Sequence, residues 1–277
     1  MARMMRPGRT TPRTGTGFVL CLALALSLAL SLGVGPVAVV APSAAADRDR
    51  SDDGGAAKDQ RAPAVIGSQR IGTSLRGRPI RAFHLGDPGA PAAVVLGSMH
   101  GNEKAGMQVV DALRDGPPVT GVDLWVVPTM NPDGVARDTR GNARGVDLNR
   151  NFRRGWAPLT GAYYSGTGPM SEPETRAMAR FLRRVDPTYV VSFHQPLHGV
   201  GRAGERRPFQ RRLAQGLGLR IKAFNCSGVC HGTMTSWFNA THRGTAITVE
   251  FGARPARTYL RGRATRGTLH AVLGSWQ

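Results

Sequence analysis

Three short apolar runs, each followed closely by a residue able to bind a metal or a proton, constrain this chain more than any other feature. Residues 92–96 (Ala-Ala-Val-Val-Leu) lead into His100 and Glu103. Residues 189–193 (Tyr-Val-Val-Ser-Phe) lead into His194, and residues 246–249 (Ala-Ile-Thr-Val) lead into Glu250. Continuous apolar runs of this length suit central strands buried on both faces. Further strands are predicted at 80–85, 122–127 and 219–224, and helices at 102–113, 172–185, 209–217, 233–239 and 258–276. Ser171 and Glu174, with Pro173 between them, have the spacing of a capping box at the start of the second of these helices. Alternating strands and helices predict an α/β sheet with helices on both faces. Ligands bind such sheets beyond the carboxyl ends of the strands, where His100, His194 and Glu250 stand.

The residue types carry chemistry of their own. Two imidazoles and one carboxylate suit a catalytic zinc site that keeps a fourth position open. A second carboxylate beside it can serve as general base. His100 and Glu103 are three residues apart, so a turn has to bring them together, and Gly97 and Gly101 permit one. Taken singly each residue has an ordinary reading. Glu103 could be a dipole partner at a helix start, His194 a hydrogen-bonded surface histidine and Glu250 a salt-bridged acid. A fourth block shifts the balance: Gly145-Val146-Asp147-Leu148-Asn149-Arg150-Asn151-Phe152. It lies within residues 129–168, an irregular stretch too long to be a plain connection.

Together these four blocks resemble the zinc carboxypeptidase family typified by carboxypeptidase A, in family order, from about residue 66 to the end of the chain. The resemblance implies a single domain with a mixed, mainly parallel eight-stranded sheet flanked by helices. It implies one zinc per chain held by His100, Glu103 and His194, with Glu250 as the base that takes a proton from the attacking water and passes it to the leaving amine. Asn149 and Arg150 would grip the substrate's terminal carboxylate, which suits a guanidinium because it donates two parallel hydrogen bonds. Arg140 would stabilise the tetrahedral oxyanion. Asp147 reads as structural, orienting Arg150 or a ligand imidazole. One departure stands out. The family's mobile tyrosine, about twenty residues before the base, has no counterpart, because residues 225–249 contain no Tyr and offer Trp237 and Phe238. They contain no acid either, which argues against a pocket for basic side chains.

The function expected is therefore that of a zinc metallocarboxypeptidase hydrolysing an amide next to a free C-terminal carboxylate in peptides. Residues 72–80 (Gly-Thr-Ser-Leu-Arg-Gly-Arg-Pro-Ile) and the compact catalytic region also resemble bacterial murein peptide amidases of the same superfamily. Those enzymes cut the γ-D-glutamyl–diaminopimelate bond of cell-wall peptides. A reading of another class is a basic wall-binding protein with a vestigial metal site, which would have no need of Glu250.

Composition adds a venue. Residues 1–46 read as a signal peptide: four arginines, a Leu/Ala-rich core over 17–32, breakers at Gly33, Gly35 and Pro36, and Ala44-Ala45-Ala46 before Asp47. An uncleaved anchor is the other reading, since apolar character continues to Val40. Residues 47–64 read as a disordered linker and 65–277 as the catalytic domain. Removing 1–46 takes four arginines from a formal charge of +19 and leaves +15. For an exported protein that charge favours anionic cell-wall polymers over nucleic acid as partners, with no stable membrane insertion after signal cleavage. Cys226 and Cys230 are the cysteines left, and an exported protein would bridge them.

Overall fold

The computed structural model describes residues 64–202, 207–224 and 228–277. The segments read as signal peptide and, apart from Ala64, as linker lie outside the described residues, as does Cys226. Ten strands are described: β1 (Val65–Thr73), β2 (Pro79–Gly86), β3 (Ala92–Leu96), β4 (Val119–Thr120), β5 (Asp123–Val127), β6 (Tyr189–His194), β7 (Leu197–Gly201), β8 (Ile221–Lys222), β9 (Thr245–Gly252) and β10 (Ser275–Trp276). Eight form one sheet in the order β1-β2-β5-β3-β6-β9-β7-β8, and β10 pairs with β4. The central strands β5, β3, β6 and β9 run parallel, while β1, β2 and β7 join antiparallel to their inner neighbours. This is the mixed, mainly parallel eight-stranded sheet expected.

The helices are α1 (Ala105–Arg114), α2 (Pro132–Arg137), α3 (Pro173–Val185), α4 (Arg207–Leu217), α5 (Met234–Thr241), α6 (Arg257–Tyr259) and α7 (Thr265–Ala271). They cover both sheet faces and close two cores. On one side Val95, Val109, Leu113, Phe193, Leu213, Val249 and Phe251 pack together. On the other Val94, Leu96, Leu148, Phe152, Met178, Phe181 and Phe238 do so. Val94 and Val95 face opposite ways because strand side chains alternate, which is why this run lacks polar alternation.

Several elements differ from expectation. Helix α1 starts at Ala105, not at residue 102, because His100 to Glu103 form a separate turn closed by Glu103 N–H donating to His100 O (3.0 Å). A Cβ on Gly101 would lie 1.9 Å from the Gly134 carbonyl carbon, so only glycine admits this turn beside α2. The capping box does not form. Glu172 is the N-cap of α3, the Ser171 hydroxyl donates to Glu172 Oε1, and Glu174 accepts from Leu75 N–H and Asn142 Nδ2. The strand expected at 219–224 is shortened to β8. The terminal helix expected over 258–276 is interrupted by a π-helical stretch, Leu260–Ala264, and ends at Ala271 before β10.

Candidate metal centre

Three side chains from three places converge beyond the carboxyl ends of β3 and β6. His100 Nδ1 lies 2.9 Å from Glu103 Oε2. His194 Nδ1 lies 3.1 Å from the same oxygen and 3.3 Å from His100 Nδ1. A tetrahedral zinc with ordinary Zn–N and Zn–O bonds has ligand-to-ligand edges of about 3.3 Å. The three atoms thus make one face of a zinc tetrahedron, and all three side chains are buried.

The far side of each ring supports this. His100 Nε2 is 3.0 Å from Asp147 Oδ1, and an ionised carboxylate can only accept. The ring proton therefore sits on Nε2 and the Nδ1 lone pair points inward. His194 Nε2 lies 3.0 Å from the hydroxyl of Ser192, two residues back along β6, which can accept in the same way. Two lone pairs and a carboxylate oxygen facing one another call for a cation. Electrostatics agree. Burial opposes charge on His100, but the Asp147 and Glu103 carboxylates outweigh it and raise the imidazole's pKa. Burial also works against ionised Glu103 and Asp147, yet the neighbouring imidazoles, together with Arg140 and Arg150 at Asp147, hold both well below the usual carboxylate range. The donor set fits zinc.

Glu250 is the neighbour of His194 in the register of β6 and β9. Its Oε2 accepts from Leu197 N–H at 3.2 Å. Burial raises its pKa, against the pull of His194 and that N–H. Arg140 Nη1 donates to Glu103 Oε1 (3.0 Å), and its Nε donates to Asp147 Oδ2 (3.0 Å). Asp147 thus joins His100 to Arg140 and comes within 4.0 Å of Arg150. The short 3₁₀ turn Leu148–Arg150 holds Asn149 and Arg150. Asn149 Oδ1 accepts from Met234 N–H at 3.0 Å, and Arg150 Nη1 donates to Asn149 O at 2.8 Å.

A single cavity of about 670 Å³ contains His100, Glu103 and His194 with Glu250, Arg140, Asn149 and Arg150. Every residue proposed for metal or substrate from the sequence is therefore brought to one place. Trp237 and Phe238 are buried in the core, Trp237 against Phe152, and Thr233, Thr235 and Asn239 of that segment face the cavity instead. Glu103 and Glu250 are its carboxylates among the described residues. Cys230 is disulfide-bonded, while Cys226, its expected partner, lies outside the described residues. Sequence reasoning missed Ser192, which stands inside its run as a plain polar residue, and Tyr163. Tyr163 is 39% exposed and borders the cavity from the 3₁₀ turn Gly161–Tyr163. Its place inside the long irregular stretch was the available signal.

A zinc carboxypeptidase family profile matches residues 56–199, which include the His-Glu-His set and the Asn149–Arg150 pair; Glu250 lies beyond the match. Murein peptide amidase A of Escherichia coli K12 is 35% identical over 146 residues, 47% of this chain and 60% of that protein. The match thus spans less than two thirds of the relative's length. Among solved structures, murein-tripeptide amidase MpaA from Escherichia coli O157 matches with a TM-score of 0.61 at 29% identity, covering 72% of this chain and 90% of that one. Carboxypeptidase A from Helicoverpa armigera matches with a TM-score of 0.64 at 16% identity, covering 76% and 68%, a likeness of fold.

Proposed function

Because this chain belongs to the zinc carboxypeptidase family, we propose that it is a zinc-dependent hydrolase cleaving an amide bond next to a free carboxylate. The observation that carries this reading is the shared cavity. It brings to the walls of one cavity a three-donor metal face, a buried carboxylate and an arginine whose carboxylate neighbour, Asp147, stands no nearer than 4.0 Å.

His100, Glu103 and His194 would hold one zinc per chain. Zinc there would supply Lewis acidity, polarising the scissile carbonyl and acidifying water. Glu250 takes the proton of the attacking water and delivers it to the leaving nitrogen, a role that its place beside His194 near the end of β9 suits. Arg150 and Asn149 receive the free carboxylate, and that contact fixes which amide reaches Glu250. Arg140 presents a guanidinium beside Glu103, where negative charge develops on the carbonyl oxygen.

The substrate class we favour is the cell-wall peptide, with the γ-D-glutamyl–diaminopimelate bond as the bond cut. Similarity to murein peptide amidase A supports this over an ordinary C-terminal peptide. The signal-like residues 1–46 support export, and the excess of arginine supports residence among anionic wall polymers. One incubation tests the set. Muropeptides and ordinary peptides, each with free or amidated termini, are mixed with the protein with and without chelator, and products are read by mass. Chelator-sensitive release of diaminopimelate-bearing fragments is expected. Equal cutting of free and amidated termini would sink the carboxylate requirement. No turnover of any peptide would favour the wall-binding alternative.

A further inference from the structure

Resting on the reading that Arg150 receives the substrate carboxylate, we infer that Tyr163 is a positioning residue whose ring sets the aim of Arg150. The ring centroid lies 5.2 Å from the Arg150 guanidinium carbon and 5.3 Å from that of Arg140.

Arg150 needs such a constraint. Its side chain is nearly buried, yet one of its nitrogens is fixed, by Nη1 donating to Asn149 O at 2.8 Å. The nearest carboxylate oxygen, on Asp147, is 4.0 Å away, and Nε is buried without a hydrogen-bond partner. A guanidinium held through a single nitrogen can turn about that bond. Arg140 differs, because it is tied to both Glu103 and Asp147. A ring packed against Arg140 is therefore packed against a guanidinium held from two sides. The negative face of an aromatic ring attracts a cation, so Tyr163 passes the fixed position of Arg140 on to Arg150.

The backbone of Tyr163 is fastened to the block it serves. Tyr164 N–H donates to Gly161 O at 3.1 Å, closing the turn. Tyr164 O accepts from Asp147 N–H at 2.8 Å, and Ser165 O accepts from Asn151 Nδ2 at 2.8 Å. The two residues after Tyr163 are thus bonded to either end of the Asp147–Asn151 segment. The Tyr163 hydroxyl makes no hydrogen bond among the described residues, and it is the ring that lies against both guanidiniums. Its 39% exposure at the cavity wall is not what core packing would produce.

The test uses the zinc-loaded protein carrying Glu250→Gln, so that peptide binding is read without turnover. Calorimetry compares one peptide with a free terminus and the same peptide amidated. Tyr163→Ala should weaken binding of the free peptide roughly 3- to 30-fold and leave the amidated peptide unchanged. Tyr163→Phe, which keeps the ring, should restore the affinity to within about 2-fold. In the protein with Glu250 intact, the same loss should fall on KM more than on kcat. The inference is overturned if Tyr163→Ala binds as its parent does, if Tyr163→Phe loses as much as Tyr163→Ala, or if free and amidated peptides weaken together. A parent that binds both peptides equally overturns the carboxylate reading itself, whereas a discriminating parent with an indifferent Tyr163→Ala overturns this inference alone.

Discussion

Asp147 does more at residue scale than its place two positions before Asn149 suggests. One oxygen fixes the tautomer of His100 and the other anchors Arg140. Asp147→Asn would offer an amide to the ring nitrogen and free the imidazole to turn. Zinc affinity should then fall by about 10- to 100-fold, measured by competition with a chromogenic chelator. Unchanged affinity would mean that packing alone orients His100. Glu250→Gln separates holding the metal from using it. The amide keeps the shape of the side chain but cannot take up a proton, so zinc content should stay at one per chain while turnover falls about 100- to 10,000-fold. These residues were legible in the sequence because chemistry narrows their type: few side chains can donate to a metal or take up a proton. Tyr163 and Ser192 were not, since many residue types can pack on a guanidinium or accept from an imidazole, and only the folded chain shows which one arrives.

At the scale of elements, the strands that deliver the site were readable from their unbroken apolar runs, and their ends fall within a residue or two of expectation. What escaped was decided by partners distant in sequence. Ser171 and Glu174 have the right spacing for a cap, but Glu174 is taken by Leu75 N–H, 99 positions away. Strand β1 has few apolar residues because it lies at a sheet edge with mostly half-exposed side chains. The C-terminal segment follows a helical apolar pattern, yet it tightens and loosens around α4, where Tyr259 Oη donates to Leu217 O at 2.8 Å. That contact gives a pH signature. Burial pushes the Tyr259 phenol from 10.0 up to about 12. An unfolded chain therefore releases this proton while the folded one still holds it. Its contribution to stability is whole below pH 10 and is lost as pH rises through about 12. Denaturant midpoints across that interval should decline in the wild type and decline less in Tyr259→Phe. Parallel declines would show that other groups govern the alkaline limb.

For the molecule as a whole, the sheet separates two cores and the metal face sits where both end. Ligand binding to the folded state alone stabilises it by mass action. At zinc a hundredfold above its dissociation constant, chelation should lower the melting temperature by about 5–10 °C for a domain of this size. Differential scanning calorimetry with and without chelator checks this, and coincident traces would mean that the cluster does not bind metal in solution. The topology has a further consequence, in time rather than in space. His100 and His194 are separated by 94 positions along the chain, and Glu250 closes its bond to Leu197 across 53 more. Contacts so remote form late, after the costly closure of long loops. A partly made or partly unfolded chain can hold some of the donors, but the base stands opposite them only once β9 has docked between β6 and β7. Hydrolytic capacity is thus withheld until the sheet is complete. The hydrolase arms itself as the last central strand locks into place.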